Sequence, residues 1–248
     1  MIEVRILAPD DEPLLADFFA RHPDTTLFFQ NNVAATGVSD RGIPYSGTYA
    51  AAFEDGALAA LAAHYWQGNL VVEAPRHLEA VVRAAVAASG RAITGLLGPW
   101  SQVIAARRAL GLADAPTTMD SPDELFALAL ERLRVPEPLQ RGECRWRRPH
   151  DRELDVLTDW RVDYRVELMG QTRDAALRAS ARDEIERSQR DGRNFVLEVG
   201  GALVSYAGYN ARTERCVQIG GVWTPPPLRG RGHARAAVAG ALLAAREA

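Results

Sequence analysis

Gly220-Gly221-Val222-Trp223-Thr224-Pro225-Pro226-Pro227-Leu228-Arg229-Gly230-Arg231-Gly232-His233-Ala234 is the stretch on which the reading of this chain turns. A strand running to Thr224 must stop at Pro225, Pro226 and Pro227, because proline cannot donate to a sheet ladder. Beyond them, Arg229–Ala234 reads as a tight turn into an alanine-rich helix over Gly232–Ala248. Gly230 and Gly232 remove side chains where the backbone bends and let a ligand approach the main chain. The first N–H groups of that helix have no intrahelical partner, and the helix dipole places partial positive charge there. Arg229, Arg231 and Arg235 bring cationic side chains to the same point. Together these features suit an anion, most naturally a pyrophosphate. A glycine-rich turn that holds no ligand is the plainer alternative.

Upstream, Cys144–Arg148 reads as a short strand, and Glu153–Leu168 and Asp174–Gln189 as helices. Asn194–Val199 and Ala202–Tyr209 alternate around Gly200-Gly201, a hairpin signal, and Cys216–Trp223 forms the next strand. The first half follows the same scheme. Val4–Leu7 is strand-like, and Asp10–Arg21 has Leu14, Leu15, Phe18 and Phe19 at helical spacing. Gly47–Phe53 and Ala57–Trp66 flank Glu54-Asp55-Gly56, whose Asp-Gly pair marks a hairpin. A strand over Gly68–Val72, a helix over Arg76–Ala88, a strand over Ile93–Leu97 and a helix over Ser101–Leu110 follow. Glu124–Arg132 is too short an apolar run to separate helix from strand. Pro136 and Pro138 then interrupt any regular element and open a polar, arginine-rich stretch. The layout predicts a tandem arrangement, with one continuous α/β domain as the alternative.

Two familiar phosphate loops do not fit the opening stretch. A Walker loop needs Gly-Lys before Ser or Thr, and this chain contains no lysine. A dinucleotide fingerprint needs a third glycine where Arg235 stands, and its strand feeds a parallel sheet. The stretch instead resembles the pyrophosphate loop of the GNAT acyltransferase superfamily, Gln/Arg-x-x-Gly-x-Gly/Ala, with Arg229, Gly232 and Ala234 at the defining positions. Val222-Trp223-Thr224-Pro225-Pro226 resembles that family's fourth strand and its exit.

The resemblance covers about Arg145 to Ala248 and implies an N-acetyltransferase that moves the acetyl group of acetyl-CoA to an amine, by direct attack in a ternary complex. It implies that the main-chain groups of Val222, Trp223 and Thr224 pair with the pantetheine arm. It also implies that the N–H groups of Gly230, Arg231, Gly232, His233, Ala234 and Arg235 cradle the pyrophosphate, with His233 a first-turn contact. The implied fold is α/β (α+β layered), with two GNAT-like units, each a mixed, mainly antiparallel sheet flanked by helices. Residues 1–138 would form a degenerate unit without a CoA loop, because Leu70–Leu78 at the corresponding place has no glycine and carries Glu73. Residues 139–248 would form the acetyl-CoA-binding unit. Family members continue past this helix with a fifth strand and more, so the C-terminal unit reads as incomplete, or as completed by another chain. A homodimer is one such completion.

The catalytic groups are less legible. Cys216–Trp223 contains no carboxylate, so Glu198, Tyr206 and Tyr209 are the nearest candidates for carrying a proton, with Glu198 and Tyr209 taken as the catalytic pair. Tyr206 and Tyr209 lie on opposite faces of their strand, so only one can face a cleft. A solvated Glu198 and packed tyrosines are the structural alternatives. His64 reads as a packed strand residue, and Phe28-Phe29 as a hydrophobic plug at a helix end or the lining of an acceptor pocket.

Composition bounds the rest. The chain has 248 residues, 47% hydrophobic and 25% charged, the balance of a globular protein of one large or two moderate domains. A net charge of −3 argues against nucleic acid as a partner and mildly favours a cationic acceptor, a small-molecule or peptide amine. No apolar run suits a membrane and the N-terminus is not a signal peptide, so the expected location is cytoplasmic. Cys144 and Cys216 are too few for a disulfide framework and too isolated for zinc, so no metal is expected. A non-catalytic acetyl-CoA-binding or sensing module, and an interaction protein that keeps the fold without the ligand, are the rival functions.

Overall fold

The computed structural model of the chain describes residues 1–120 and 122–248. Backbone contacts divide it into two units, Met1–Pro116 and Thr117–Ala248.

In the first unit, strand β1 (Ile2–Ile6) leads through a 3₁₀ turn into helix α1 (Leu15–Arg21) and helix α2 (Leu27–Thr36). Strands β2 (Gly47–Glu54), β3 (Ala57–Tyr65) and β4 (Asn69–Glu73) then form an antiparallel meander. Helix α3 (Leu78–Ser89), strand β5 (Gly95–Leu97) and helix α4 (Trp100–Ala109) follow. The sheet order is β1-β2-β3-β4-β5, and only the β4/β5 pair is parallel. Asp55 and Gly56, with φ of 48° and 83°, are the two left-handed residues that a tight hairpin requires.

Alternation along β2 and β3 builds two different faces. Tyr49, Phe53, Leu61 and Tyr65 pack with Leu15, Phe18 and Phe29, whereas Ala50, Ala52, Ala60 and Ala62 pack with Val81, Val82 and Ala85 of α3. Bulk on one face fills the space under α1 and α2; alanine on the other lets α3 lie close. Helix α2 was not legible in the sequence. Phe28-Phe29 lies in its first turn, with Phe29 fully buried, and Asn31 and Asn32 are buried too. Polar residues on the inner side erase the apolar period that would announce a helix.

The second unit contains helix α5 (Glu137–Gln140), strand β6 (Arg145–Arg147), helices α6 (Leu154–Met169) and α7 (Ala175–Arg190), strands β7 (Asn194–Val199), β8 (Ala202–Arg212) and β9 (Val217–Trp223), and helix α8 (His233–Arg246). Its strands run antiparallel in the order β6-β7-β8-β9. Asp174 caps α7 by accepting the Leu177 N–H at 2.7 Å. Helix α8 covers one sheet face through Ala236, Ala237 and Ala241 over Phe195, Leu197 and Tyr209. Helices α6 and α7 cover the other, where Leu157 and Ile185 meet Val196, Tyr206 and Trp223. Glu124–Arg132, expected as helix or strand, has only a 3₁₀ turn at Leu130–Arg132. Leu125, Phe126 and Leu128 are exposed there, so no burial stabilises either form. No helix among the described residues is long and apolar enough to cross a membrane.

His64 is wholly buried on the α3 face, its ring nitrogens bonded to the Ser89 hydroxyl at 2.6 Å and the Gly68 carbonyl at 3.1 Å. Burial lowers its pKa. The unfolded chain, with histidine near its ordinary value of about 6.5, therefore takes up a proton before the folded chain does. Stability from this residue is full above that pH and is lost as pH falls through the folded pKa. Denaturant midpoints are expected to drop between pH 7.5 and pH 5.5, and His64→Gln, which keeps a donor and an acceptor, to flatten that slope.

Candidate functional site

The site grows out of a defect in the β8–β9 ladder. Tyr206 pairs with Trp223 and Gly208 with Gly220, so β9 spends one residue more than β8 over this interval. Gly221 absorbs the extra residue with φ at 61°, which is a β-bulge of the kind glycine allows. A bulge turns the strand, here just before Val222, on a strand that forms the edge of its sheet. The exit is then pinned. The Ser205 hydroxyl donates to the Trp223 carbonyl at 2.9 Å and contacts the Thr224 hydroxyl at 2.8 Å. All of these groups are buried.

Pro225 and a 3₁₀ turn over Pro226–Leu228 carry the chain to Arg229. Gly230 and Gly232 both sit in the left-handed region, with φ of 77° and 78°, and Gly232 is the N-cap of α8. A Cβ at either glycine would meet no atom within 4 Å, so each faces open space. The space is a cleft of about 350 Å³, lined by Val222, Trp223 and Thr224, by Leu228, Arg229 and Gly230, by Gly232, His233 and Ala234, and by Glu167 and Leu168. Helix geometry leaves the N–H groups of His233, Ala234 and Arg235 without intrahelical acceptors at the same place. Free donors, a helix dipole and missing side chains make the cleft suited to an anion.

Arg229 is a three-way tie. Its guanidinium binds the Glu167 carboxylate with both terminal nitrogens, at 2.8 and 3.0 Å. Its Nε donates to the Thr224 carbonyl at 2.9 Å. Its Cζ lies over the Trp223 ring, 4.8 Å from the centroid. Glu167 and Leu168 were absent from the sequence-based site. They belong to the last turn of α6, and the only signal for Glu167 is its place in a run of acids at every fourth position of that helix. Arg231 and Arg235 are exposed, and Arg231 donates to the Pro227 carbonyl at 3.5 Å.

The two residues expected to carry protons do not line this cleft. Tyr209 points to the α8 face, where its hydroxyl donates to the Ala241 carbonyl at 2.5 Å and its ring packs 5.0 Å from Phe195. Burial raises its pKa. Glu198 lies on β7, with β8 between it and β9. It accepts from Arg147 at 2.9 Å, and the same guanidinium holds Glu153 at 2.6 Å. Both side chains are thus engaged in framework contacts. Tyr206 lies on the opposite face from Tyr209, packed with Trp223 and Leu157, and burial raises its pKa as well.

The first unit has the same strand–turn–helix step between β4 and α3, but its own side chains fill it. His77, with φ at 55°, caps α3 and bonds Glu54 at 2.5 Å, and Arg76 pairs with the same carboxylate at 2.6 Å. Glu73 is buried at the strand end and accepts from Gln102 at 3.2 Å, while the Ala74 N–H donates to Gln102 at 2.6 Å.

Comparison with known proteins follows from this geometry. Residues 154–248 match the model of the acetyltransferase (GNAT) family. No curated protein sequence matches the chain. A Drosophila protein of known crystal structure aligns with 99% of this chain and 86% of its own, at 12% identity and a TM-score of 0.57. A GCN5-related glucosamine N-acetyltransferase region of a fungal multi-domain β-N-acetylglucosaminidase aligns with 100% of this chain and 34% of its own, at 12% identity and a TM-score of 0.51. A GCN5-related N-acetyltransferase from Kribbella flavida aligns over 42% of this chain at 22% identity and a TM-score of 0.32, and that alignment spans 27% of its own length. At 12% identity the first two likenesses speak to the fold alone.

The framework role of Tyr209 has a simple consequence. Tyr209→Phe is expected to lower stability by about 1 kcal/mol, the net worth of one buried hydrogen bond, and to leave ligand binding in the cleft unchanged. Denaturant unfolding and calorimetric titration of the same variant check both halves.

Proposed function

From the match of residues 154–248 to the acetyltransferase (GNAT) family, we propose that this chain binds acetyl-CoA in the cleft at the N-terminus of α8 and transfers the acetyl group to an amine. The observation that carries the reading is the open space at Gly230 and Gly232 beside the free N–H groups of α8. A pyrophosphate fits there because it accepts from several backbone donors without requiring a side chain. A Cβ at Gly230 or Gly232 would stand in open space, so no protein atom occupies the volume a pyrophosphate would need there. In this reading the bulged edge strand at Val222–Thr224 lies along the pantetheine arm. Two of its carbonyls, those of Trp223 and Thr224, already accept from Ser205 and Arg229, so the remaining main-chain groups are the ones available.

The reaction joins an amine nitrogen to the thioester carbonyl carbon and breaks the carbon–sulfur bond. The amine gives up a proton and CoA leaves as thiol or thiolate. The chain's part is to hold the thioester in one orientation, which by itself supplies much of the acceleration in a transfer between two bound reactants. Glu198 and Tyr209 enter this reading as framework, for the contacts described above. The acceptor is an amine, from a small molecule or a peptide, and the slight acidity of the chain suits a cationic one.

A second reading, an acetyl-CoA-binding or sensing module without turnover, is favoured by one observation. The ionisable side chains lining the cleft are Glu167, Arg229 and His233, and the first two are bound to each other.

Calorimetric titration of acetyl-CoA into the parent protein and into Gly232→Glu tests the shared premise. Micromolar binding, roughly 8 kcal/mol, that the substitution abolishes is the expected result, and no binding by the parent sinks both readings. Thiol release from acetyl-CoA in the presence of amino acids, small amines, aminoglycosides and peptides then separates them. Acceptor-dependent release supports the transferase, and binding without release supports the sensor.

A further inference from the structure

Asp155, Asp159, Asp163 and Glu167 stand at every fourth position of α6. Four residues slightly overshoot a helical turn, so such a stripe winds slowly round the helix. Its rungs follow that winding. Asp155 pairs with Arg182 at 2.7 Å and Asp159 with Arg178, both on α7, and Asp163 pairs with Arg173 in the connection between the helices. The last acid, Glu167, has turned past α7 and takes Arg229 of the glycine loop. All four are exposed pairs, of a kind worth little singly. The fourth differs in its geometry. It is bidentate, and its arginine is also held by the Thr224 carbonyl and the Trp223 ring.

We propose that Glu167 is a positioning residue for the loop Arg229–Ala234. Its carboxylate fixes the Arg229 guanidinium, and through it the backbone entering Gly230, which stands just before the free N–H groups of α8. Two residues of this loop, Gly230 and Gly232, have φ values that glycine adopts without resistance, so their backbone supplies no rigidity of its own. The tie at Arg229 supplies it from outside, from a helix 62 residues away in sequence. A bare carboxylate at an anion site would repel the ligand; paired with Arg229 it contributes almost no net charge, and its ordering effect is what remains. The consequence for the ligand rests on the acetyl-CoA reading above, whereas the ordering of the loop does not.

Hydrogen exchange in the ligand-free protein, followed by mass spectrometry over residues 229–235, tests the ordering directly. Glu167→Ala and Glu167→Gln are each expected to exchange several-fold faster there. Asp163→Ala, which breaks the neighbouring rung, is expected to keep the parental rate. Glutamine preserves length and packing, so agreement of the two Glu167 variants assigns the effect to the ion pair. Acetyl-CoA is expected to bind about five-fold more weakly to both Glu167 variants, the scale of a well-formed bidentate pair, with no change in melting temperature beyond that of Asp163→Ala. Unchanged loop exchange in Glu167→Ala, equal acceleration in Asp163→Ala, a normal Gln variant, or tighter acetyl-CoA binding would each overturn the proposal. If the parent protein does not bind acetyl-CoA, the functional reading fails while the exchange rates still decide this one.

Discussion

A strand that ends at the edge of its sheet and a helix that must begin a few residues later share one backbone, and their junction leaves donors that no part of either can satisfy. Everything distinctive about the second unit follows from how β9 and α8 meet that constraint. Prolines close the ladder at Thr224, a bulge at Gly221 turns the strand beforehand, and a left-handed glycine starts the helix. The helix then presents its first N–H groups to a cleft, not to a side-chain cap. Had Gly232 been Ser or Asp, the usual N-cap bond would have used one of those donors internally.

The two units show how little separates a binding step from a structural one. Both place a strand, a turn and a helix with a left-handed N-cap in the same sequence order. In the first unit the residues around that cap carry side chains, and His77, Arg76 and Glu54 bond one another. Gln102 reaches across to the end of β4, where it donates to one oxygen of Glu73 and accepts from the Ala74 N–H; the other Glu73 oxygen is buried with no hydrogen-bond partner among the described residues. Side chains crowd that step in the first unit, whereas glycine in the second leaves it open.

Coverage of the second sheet decides which polar groups are available for chemistry. Helix α8 takes one face and α6 with α7 the other, so a tyrosine on β8 is buried whichever way it points. Tyr209 then bonds a helix carbonyl, and Tyr206 packs beneath Trp223. Glu198 escapes burial at the strand end but meets Arg147, already shared with Glu153. The cleft is left with backbone donors, the Glu167–Arg229 pair and His233.

The sequence by itself determined the local steps: the strand stop at Pro225, the glycine turn, the helix after it, the Asp55-Gly56 hairpin and the alternation of the meanders. These are set by φ restrictions and side-chain periods that act over a few residues, so they are legible in a few residues. Helix α2 was hidden because its buried asparagines break the apolar period, and the run at 124–132 promised an element that nothing buries. Only the tertiary structure decided that Glu167 forms a wall of the cleft, that Arg229 holds it, and that Tyr209 faces α8. Each of those depends on which elements lie side by side. Sheet order, a winding stripe on α6 and the packing of three helices set that adjacency across tens of residues, where no local rule reaches.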